Sequence, residues 1–356
     1  MKKISETAAK ITALDREAIK SAQARLDSLT KPQASLGRLE ELAKQVAGIT
    51  GKLNPPLKNK VIFTLAADHG IAREGVSAFP QEVTVQMVYN FLRGGAGINV
   101  LARHVGARVV VADMGVAGEI QSSKFKAQNF KDKKVDFGTK NFTQQPAMTK
   151  DQAIKAICAG IEIFEEELVT GIDIAGTGDM GIANTASSSA IVASITGTAV
   201  GDVTGRGTGI DDKALQNKIK LLEQALKLHK PDAKDALDVL SKVGGFEIGG
   251  LAGIILAAAA HKVPVVIDGF ISGAAALLAY TLCPKAKDYM IAAHCSVERG
   301  HRIALEFMGL EPILDLDLRL GEGTGAALAM NIVDAAVKIM NEMATFESAQ
   351  VSEKNN

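Results

Sequence analysis

Tryptophan is absent from this 356-residue chain and tyrosine occurs three times. Aromatic rings on which nucleobases could stack are therefore scarce. Excess positive charge is lacking as well: 40 basic residues balance 40 acidic ones. Nothing in that balance recruits DNA, RNA or an anionic membrane surface. Cysteine is equally sparse. Cys158, Cys283 and Cys295 are an odd number without metal-ligand spacing, so they suggest neither a disulfide framework nor a zinc site. The longest apolar run, Ile248 to Ala260, is too short to cross a bilayer and closes on His261-Lys262. Met1 to Thr7 carries mixed charge without an apolar core, unlike a secretory leader. His-Glu-x-x-His, Gly-x-Ser-x-Gly and the Walker loop are also missing. These absences predict a soluble, cytoplasmic protein with no nucleic-acid or membrane partner.

What the chain does have is length, apolar content and glycine. Its hydrophobic fraction of 47% and charged fraction of 22% are those of a globular enzyme with a large core. Residues up to about Leu53 are helical in pattern, with Leu39, Leu42, Ala43 and Val46 recurring every three or four positions. Asn54-Pro55-Pro56 then breaks the chain. Beyond it, short apolar runs read as strands: Val61 to Ala66, Arg108 to Ala112, Ile172 to Ala175, Val263 to Ile267, Tyr289 to Ala293 and Ile313 to Leu320. Helical stretches alternate with them over Glu82 to Leu101, Lys150 to Leu168, Asp212 to Leu228 and Gly269 to Leu282, and a long one runs from Ala326 to about Met343. Such alternation predicts an α/β fold: βαβ units forming a parallel sheet with helices on both faces. The last dozen residues are polar and predicted to fray.

Open parallel sheets bind ligands beyond the carboxyl ends of their strands. Glycines and polar groups gather at several such ends: Asp68-His69-Gly70, Gly176 to Gly181, Asp268-Gly269, His294-Cys295-Ser296 and Gly321-Glu322-Gly323. Together they predict one crevice. Gly176-Thr177-Gly178-Asp179-Met180-Gly181 fits the dinucleotide fingerprint, which also asks for an acid ending a second strand. Asp202 stands at a suitable distance, but Gly197 to Gly201 before it makes a poor strand. A cradle for a mononucleotide phosphate fits better than NAD or NADP. An NAD(P)-dependent oxidoreductase using the Gly176 to Gly181 loop stays open, as does a non-catalytic nucleotide-binding regulator.

Gly205-Arg206-Gly207-Thr208-Gly209 is a second glycine loop, followed by Asp211-Asp212 at a helix start, where capping is the expected role. Lys218 in that helix reads either as a snorkelling surface lysine or as a phosphate counter-charge. His69 and His294 sit at strand ends and could line the crevice, with a structural hydrogen bond the expected role of each, and Ser187-Ser188-Ser189 gives no nucleophile pattern. Glu322 sits in a glycine turn leading into the long helix. An acid there is favourable with the helix dipole even without a function.

Taken in order along the chain, the segments resemble the nicotinate-nucleotide–dimethylbenzimidazole phosphoribosyltransferase family. They are Lys31-Pro32 with Ser35 to Glu40, Ala67 to Gly70 with Gly75-Val76, Gly181 to Thr185, Asp238 to Glu247, Asp268 to Phe270, and Leu318 to Ala329 around Glu322. The resemblance implies a pentosyl transferase of cobalamin biosynthesis. It would move the phosphoribosyl group of nicotinate mononucleotide onto 5,6-dimethylbenzimidazole, giving α-ribazole 5′-phosphate and nicotinate with inversion at C1′. Nicotinate leaves from a pyridinium, so neither a general acid nor a metal or cofactor is expected. Glu322 is the implied general base. Asp179, Gly181, Gly205, Gly207, Lys218, Gly269, Ser296, Gly321 and Gly323 are the implied nucleotide site, and Phe79, Met87 and Leu320 the acceptor-base wall.

Departures from the family pattern qualify this. Asp179 stands where better-known members carry Glu, and Phe79 and Met87 where they carry Ser and Gln. Other benzimidazoles, purine-like bases and phenols therefore stay open as acceptors. The implied fold is a Rossmann-like domain over residues 54–328, with a small all-helical domain built from 1–53 and the C-terminal helix of 329–356. A homodimer is implied, with partner residues approaching the site.

Overall fold

The computed structural model describes residues 1–121 and 129–352. Its centre is a sheet of six strands: β1 (Lys60–Ala67), β2 (Ala107–Gly115), β3 (Phe130–Asp132), β4 (Ile174–Met180), β5 (Val265–Ile267) and β6 (Met290–Ala292). Their spatial order is β3-β2-β1-β4-β5-β6, and every pairing is parallel. The chain thus winds outward from β1 to β3, crosses back to lay β4 beside β1, and winds outward again. That reversal makes a crevice at the carboxyl ends of β1 and β4.

Side chains alternate across the sheet, so each strand feeds two cores. Val61, Phe63 and Leu65 of β1 join one apolar cluster with the helices Lys150–Leu168, Phe246–Ala260 and Phe270–Leu282. Ile62 and Ala66 face the other cluster, with Val109, Val111, Ile174 and Val266. The second cluster also holds Leu26 of Arg16–Asp27, Leu42 and Val46 of Arg38–Thr50, and Met330, Val333 and Met340 of Thr324–Glu342. The two chain ends are therefore bound together on the sheet. Arg25 donates to the carbonyls of Met340 and Met343 at 3.1 and 2.7 Å, a cation at the end of the C-terminal helix. The expected boundary after residue 328 falls within that helix.

Three departures from the sequence reading matter for the site. The stretch Glu82 to Leu101 is two helices, Val83–Arg93 and Gly97–Val105, because Gly94 takes a left-handed conformation (φ 78°). Ile313 to Leu320 is not a strand: Leu314 makes an isolated parallel bridge to His294, then the chain peels away through Asp315 and Asp317, the latter at φ 54°. Acidic residues and a left-handed backbone both interrupt a ladder. The strand β3, the three residues Phe130, Lys131 and Asp132, carries no apolar run and escaped the pattern. Among the described residues no helix is long and apolar enough to cross a membrane.

Candidate active site

A cavity of about 340 Å³ opens at the crevice, above β4, β5 and β6. Glu322 is on its wall and is 3% exposed. It is held by its backbone first. Gly321, Glu322 and Gly323 lie at φ 81°, 64° and 99°, three successive left-handed residues that only a glycine-flanked turn sustains. The Glu322 N–H donates to the Asp179 carbonyl at 3.2 Å, and its carbonyl accepts from the Thr64 hydroxyl at 2.9 Å. Its side chain then reaches the second of the two helices split at Gly94: Oε2 accepts from the Ile98 N–H at 2.9 Å. Among the described residues no hydrogen bond reaches Oε1. Burial raises the carboxyl above its ordinary value; the Ile98 bond opposes this and the charge of Asp268 adds to it.

Two further acids sit nearby. Asp268, at the end of β5, is fully buried and accepts from the N–H of Gly323 at 3.2 Å and of Ala326 at 2.9 Å. It therefore pins the start of the helix that follows Glu322, using N–H groups with no partner inside the helix. Burial raises its carboxyl, opposed by His294, whose Nε2 is 3.9 Å away, and by those backbone bonds. Asp179 is driven well above the ordinary carboxyl value, by burial first and then by the charges of Asp268 and Glu247; the Asn184 amide at 2.9 Å opposes. Three mutually repelling carboxyls favour keeping protons between them.

The residues expected from sequence distribute unevenly. Glu322, Asp179, Gly181, Gly207, Gly269, Ser296 and Gly321 line the cavity, and so do Phe79, Met87 and Leu320 on its more open side. Gly205, Lys218 and Gly323 lie behind the wall. Lys218 is not a snorkelling residue: it is fully buried, and its Nζ bonds the Thr185 hydroxyl at 2.8 Å and the Gly205 carbonyl at 3.4 Å. Burial brings its ammonium down to about 8, with Glu298 pulling it back up.

The Gly176 to Gly181 motif is not a strand-to-helix loop. Gly176 to Met180 belong to β4 itself, and a side chain on Gly178 would overlap the Glu322 carbonyl. Gly178 and Gly181 admit a neighbouring backbone and Gly176 the side chains of Ile62 and Met330, which removes the structural basis for a dinucleotide cradle there. His69 bonds Ser187 at 3.0 Å and Glu247 at 2.6 Å with all three side chains fully buried, so this Ser-His-Glu set cannot reach a substrate. Among the described residues no group of three or more His, Cys, Asp or Glu side chains is arranged to hold a metal.

Several residues in and around the cavity owe their roles to contacts that no sequence pattern shows. Asp268 was visible as a strand-end acid, but its bonds to Gly323 and Ala326 join residues far apart in the chain. Glu298 and the Ile98 N–H had nothing to mark them, and Thr185 was visible only as the end of the Gly181 to Thr185 segment.

The phosphoribosyltransferase family model matches residues 11–351. The nicotinate-nucleotide–dimethylbenzimidazole phosphoribosyltransferase of Roseiflexus sp. (strain RS-1) is 59% identical over 354 residues, covering 99% of each chain. The protein of the same name from Geobacter metallireducens is 56% identical over 348 residues, covering 98% of each. The crystal structure of such an enzyme from Thermus thermophilus superposes with a TM-score of 0.90 at 43% identity, over 96% of this chain and 100% of that one. Matched end to end in sequence and in fold, this chain is a phosphoribosyltransferase and belongs to the nicotinate-nucleotide–dimethylbenzimidazole phosphoribosyltransferase family.

Proposed function

We propose that the chain transfers the phosphoribosyl group of nicotinate mononucleotide to 5,6-dimethylbenzimidazole or a related aromatic base, with Glu322 as general base. The products are α-ribazole 5′-phosphate and nicotinate. The observation that carries this reading is the buried Glu322 carboxyl, anchored through one oxygen by Ile98 and, among the described residues, with no bond to the other, on the wall of a cavity that Phe79, Met87 and Leu320 also line.

The chemistry asks for little more. Nicotinate is bound to C1′ as a pyridinium and takes the bonding electron pair as it leaves, so no proton need be supplied. The attacking ring nitrogen forms the new bond to C1′ from the opposite face and becomes cationic. The proton on the other ring nitrogen must then go to a base, and Oε1 of Glu322 is the acceptor we assign. Burial that raises its carboxyl makes it a stronger base than an exposed glutamate. Phe79, Met87 and Leu320 form the acceptor wall. The nucleotide is assigned to Asp179, Gly181, Gly207, Gly269, Ser296 and Gly321, with Gly205, Lys218 and Gly323 supporting from behind. Lys218 supplies the counter-charge for the phosphate at one remove.

The test is incubation of the purified protein with nicotinate mononucleotide and a panel of azoles and phenols, followed by mass analysis. A glycosylated base with stoichiometric nicotinate is expected. Release of nicotinate with no acceptor incorporated, or no release at all, overturns the reading. The homodimer we infer has a simple measurement too: sedimentation should return twice the monomer mass of 37.3 kDa.

A further inference from the structure

We infer that Glu298 recognises the sugar: its unpaired oxygen receives the hydroxyl hydrogens of the ribose diol and makes the cavity selective for ribonucleotides over deoxyribonucleotides. This rests on the proposed nicotinate mononucleotide reading and names the specificity of that same site.

Glu298 precedes the helix Arg299–Met308, a position where Asp, Asn, Ser or Thr commonly caps the helix with its own side chain. Here it makes no such bond. The side chain turns instead to the Gly205 to Gly209 loop, where Oε1 accepts from the Gly207 N–H at 2.8 Å. Its other oxygen, Oε2, is buried and has no hydrogen-bond partner. The residue is 7% exposed and lines the cavity. Gly205 makes way for it, since a Cβ there would overlap Oε2. The glycine loop is therefore not an empty phosphate cradle: one of its N–H groups is already held by a carboxylate.

Lys218, which feels the charge of that carboxylate, does not bond to it. Lys218 directs its Nζ to Thr185 and Gly205. A buried acceptor left without a donor is costly, so one on a side chain that lines a cavity indicates a ligand that brings donors. Among the parts of the proposed substrates, the phosphate and the nicotinate carboxylate are anions without a proton to give. The acceptor base gives its N–H to Glu322, which Ile98 ties to another wall. The vicinal hydroxyls of ribose remain, and a carboxylate oxygen takes such donors well. A metal is a poorer match, because no metal-binding cluster exists among the described residues.

The full chain and its Glu298→Gln variant should be titrated calorimetrically with nicotinate mononucleotide and with its 2′-deoxy and 3′-deoxy analogues. Binding is compared rather than turnover because removing a hydroxyl alters the reactivity of the glycosidic bond. The native chain should bind at least one deoxy analogue about 100-fold more weakly than the ribonucleotide. Glu298→Gln should weaken the ribonucleotide about 10–100-fold and that analogue less than about threefold, closing the gap. Equal weakening of all three ligands assigns Glu298 to holding the loop and overturns the inference, as does equal binding of all three by the native chain. If the variant fails to fold, the native comparison decides, supported by Glu298→Asp, which retains the charge. Ribose 5-phosphate against 2-deoxyribose 5-phosphate gives a second reading without any reaction. Discrimination there with no nicotinate transfer would uphold Glu298 while overturning the proposed reaction.

Discussion

Two glycine-rich segments of this chain look alike on paper and work by opposite means. In β4, Gly176 and Gly178 are in a strand, neither with positive φ, and what counts is the side chain each lacks. In the turn, Gly321 and Gly323 are wanted for dihedral angles that other residues resist. The two segments meet: the gap left at Gly178 is filled by the Glu322 carbonyl, and the Glu322 N–H returns a bond to Asp179. A motif therefore reports that glycine is needed, not whether space or angle is the reason. The carboxyl needs both, because the strand supplies the floor and the turn aims the side chain.

The largest effect should come from the group the two segments jointly hold. Glu322→Gln should reduce turnover about 10²–10⁴-fold while nucleotide binding persists; full activity in this variant at every pH would discard the general-base assignment. Native turnover should fall as pH drops through a value above the ordinary carboxyl range, because protonation removes the base. Stability runs the other way. A carboxyl raised in the folded state binds more protons folded than unfolded, so its ionisation destabilises the fold as pH rises from the ordinary value through the raised one. The amide variant should accordingly melt no lower than the native chain at neutral pH, and higher if no hydrogen bond is lost.

Next comes the buried cation behind the second glycine loop. Lys218→Met should weaken nicotinate mononucleotide binding about 10–100-fold. In the native chain that affinity should decline as pH rises past about 8, where the free ammonium loses its proton. A dissociation constant unmoved by either change would show that the phosphate does not use this charge.

Smaller effects distinguish the two uses of glycine directly. Gly178→Ala should cost about 1–3 kcal/mol in urea unfolding, as overpacking does, and Gly178→Asn should cost more. At Gly321 the order should invert, with Asn tolerated better than Ala because Asn visits the left-handed region more readily. The same order at both positions would erase the contrast. Least in size is Phe79→Ser on the cavity's open side, where the residue is 53% exposed. It should leave stability within about 0.5 kcal/mol and shift preference between polar and apolar acceptor bases by about tenfold or less.

Much of the fold was legible in the sequence. Continuous runs such as Val61 to Ala66 announce buried parallel strands, and Lys150 to Leu168 reads directly as the helix it forms. Illegible pieces share a cause. β3 gets its order from the partner strand β2, not from its own three residues. Ile313 to Leu320 has the apolar content of a strand but no neighbour to continue the ladder past Leu314. At the site, Glu322 was conspicuous because glycines flank it. Asp268 and Glu298 act through bonds to residues 55 to 58 and 91 positions away.

Alone, the sequence settled which segments bury themselves and where the backbone can bend, because apolar periodicity and glycine act locally. It also carried the family, through ordered segments along the chain. Only the folded chain decided which acid is paired, which oxygen is left without a donor and which lysine is sealed from water. Burial and hydrogen bonding depend on what lies across space, and here the crossing of the chain from β3 back to β4 brings those partners together.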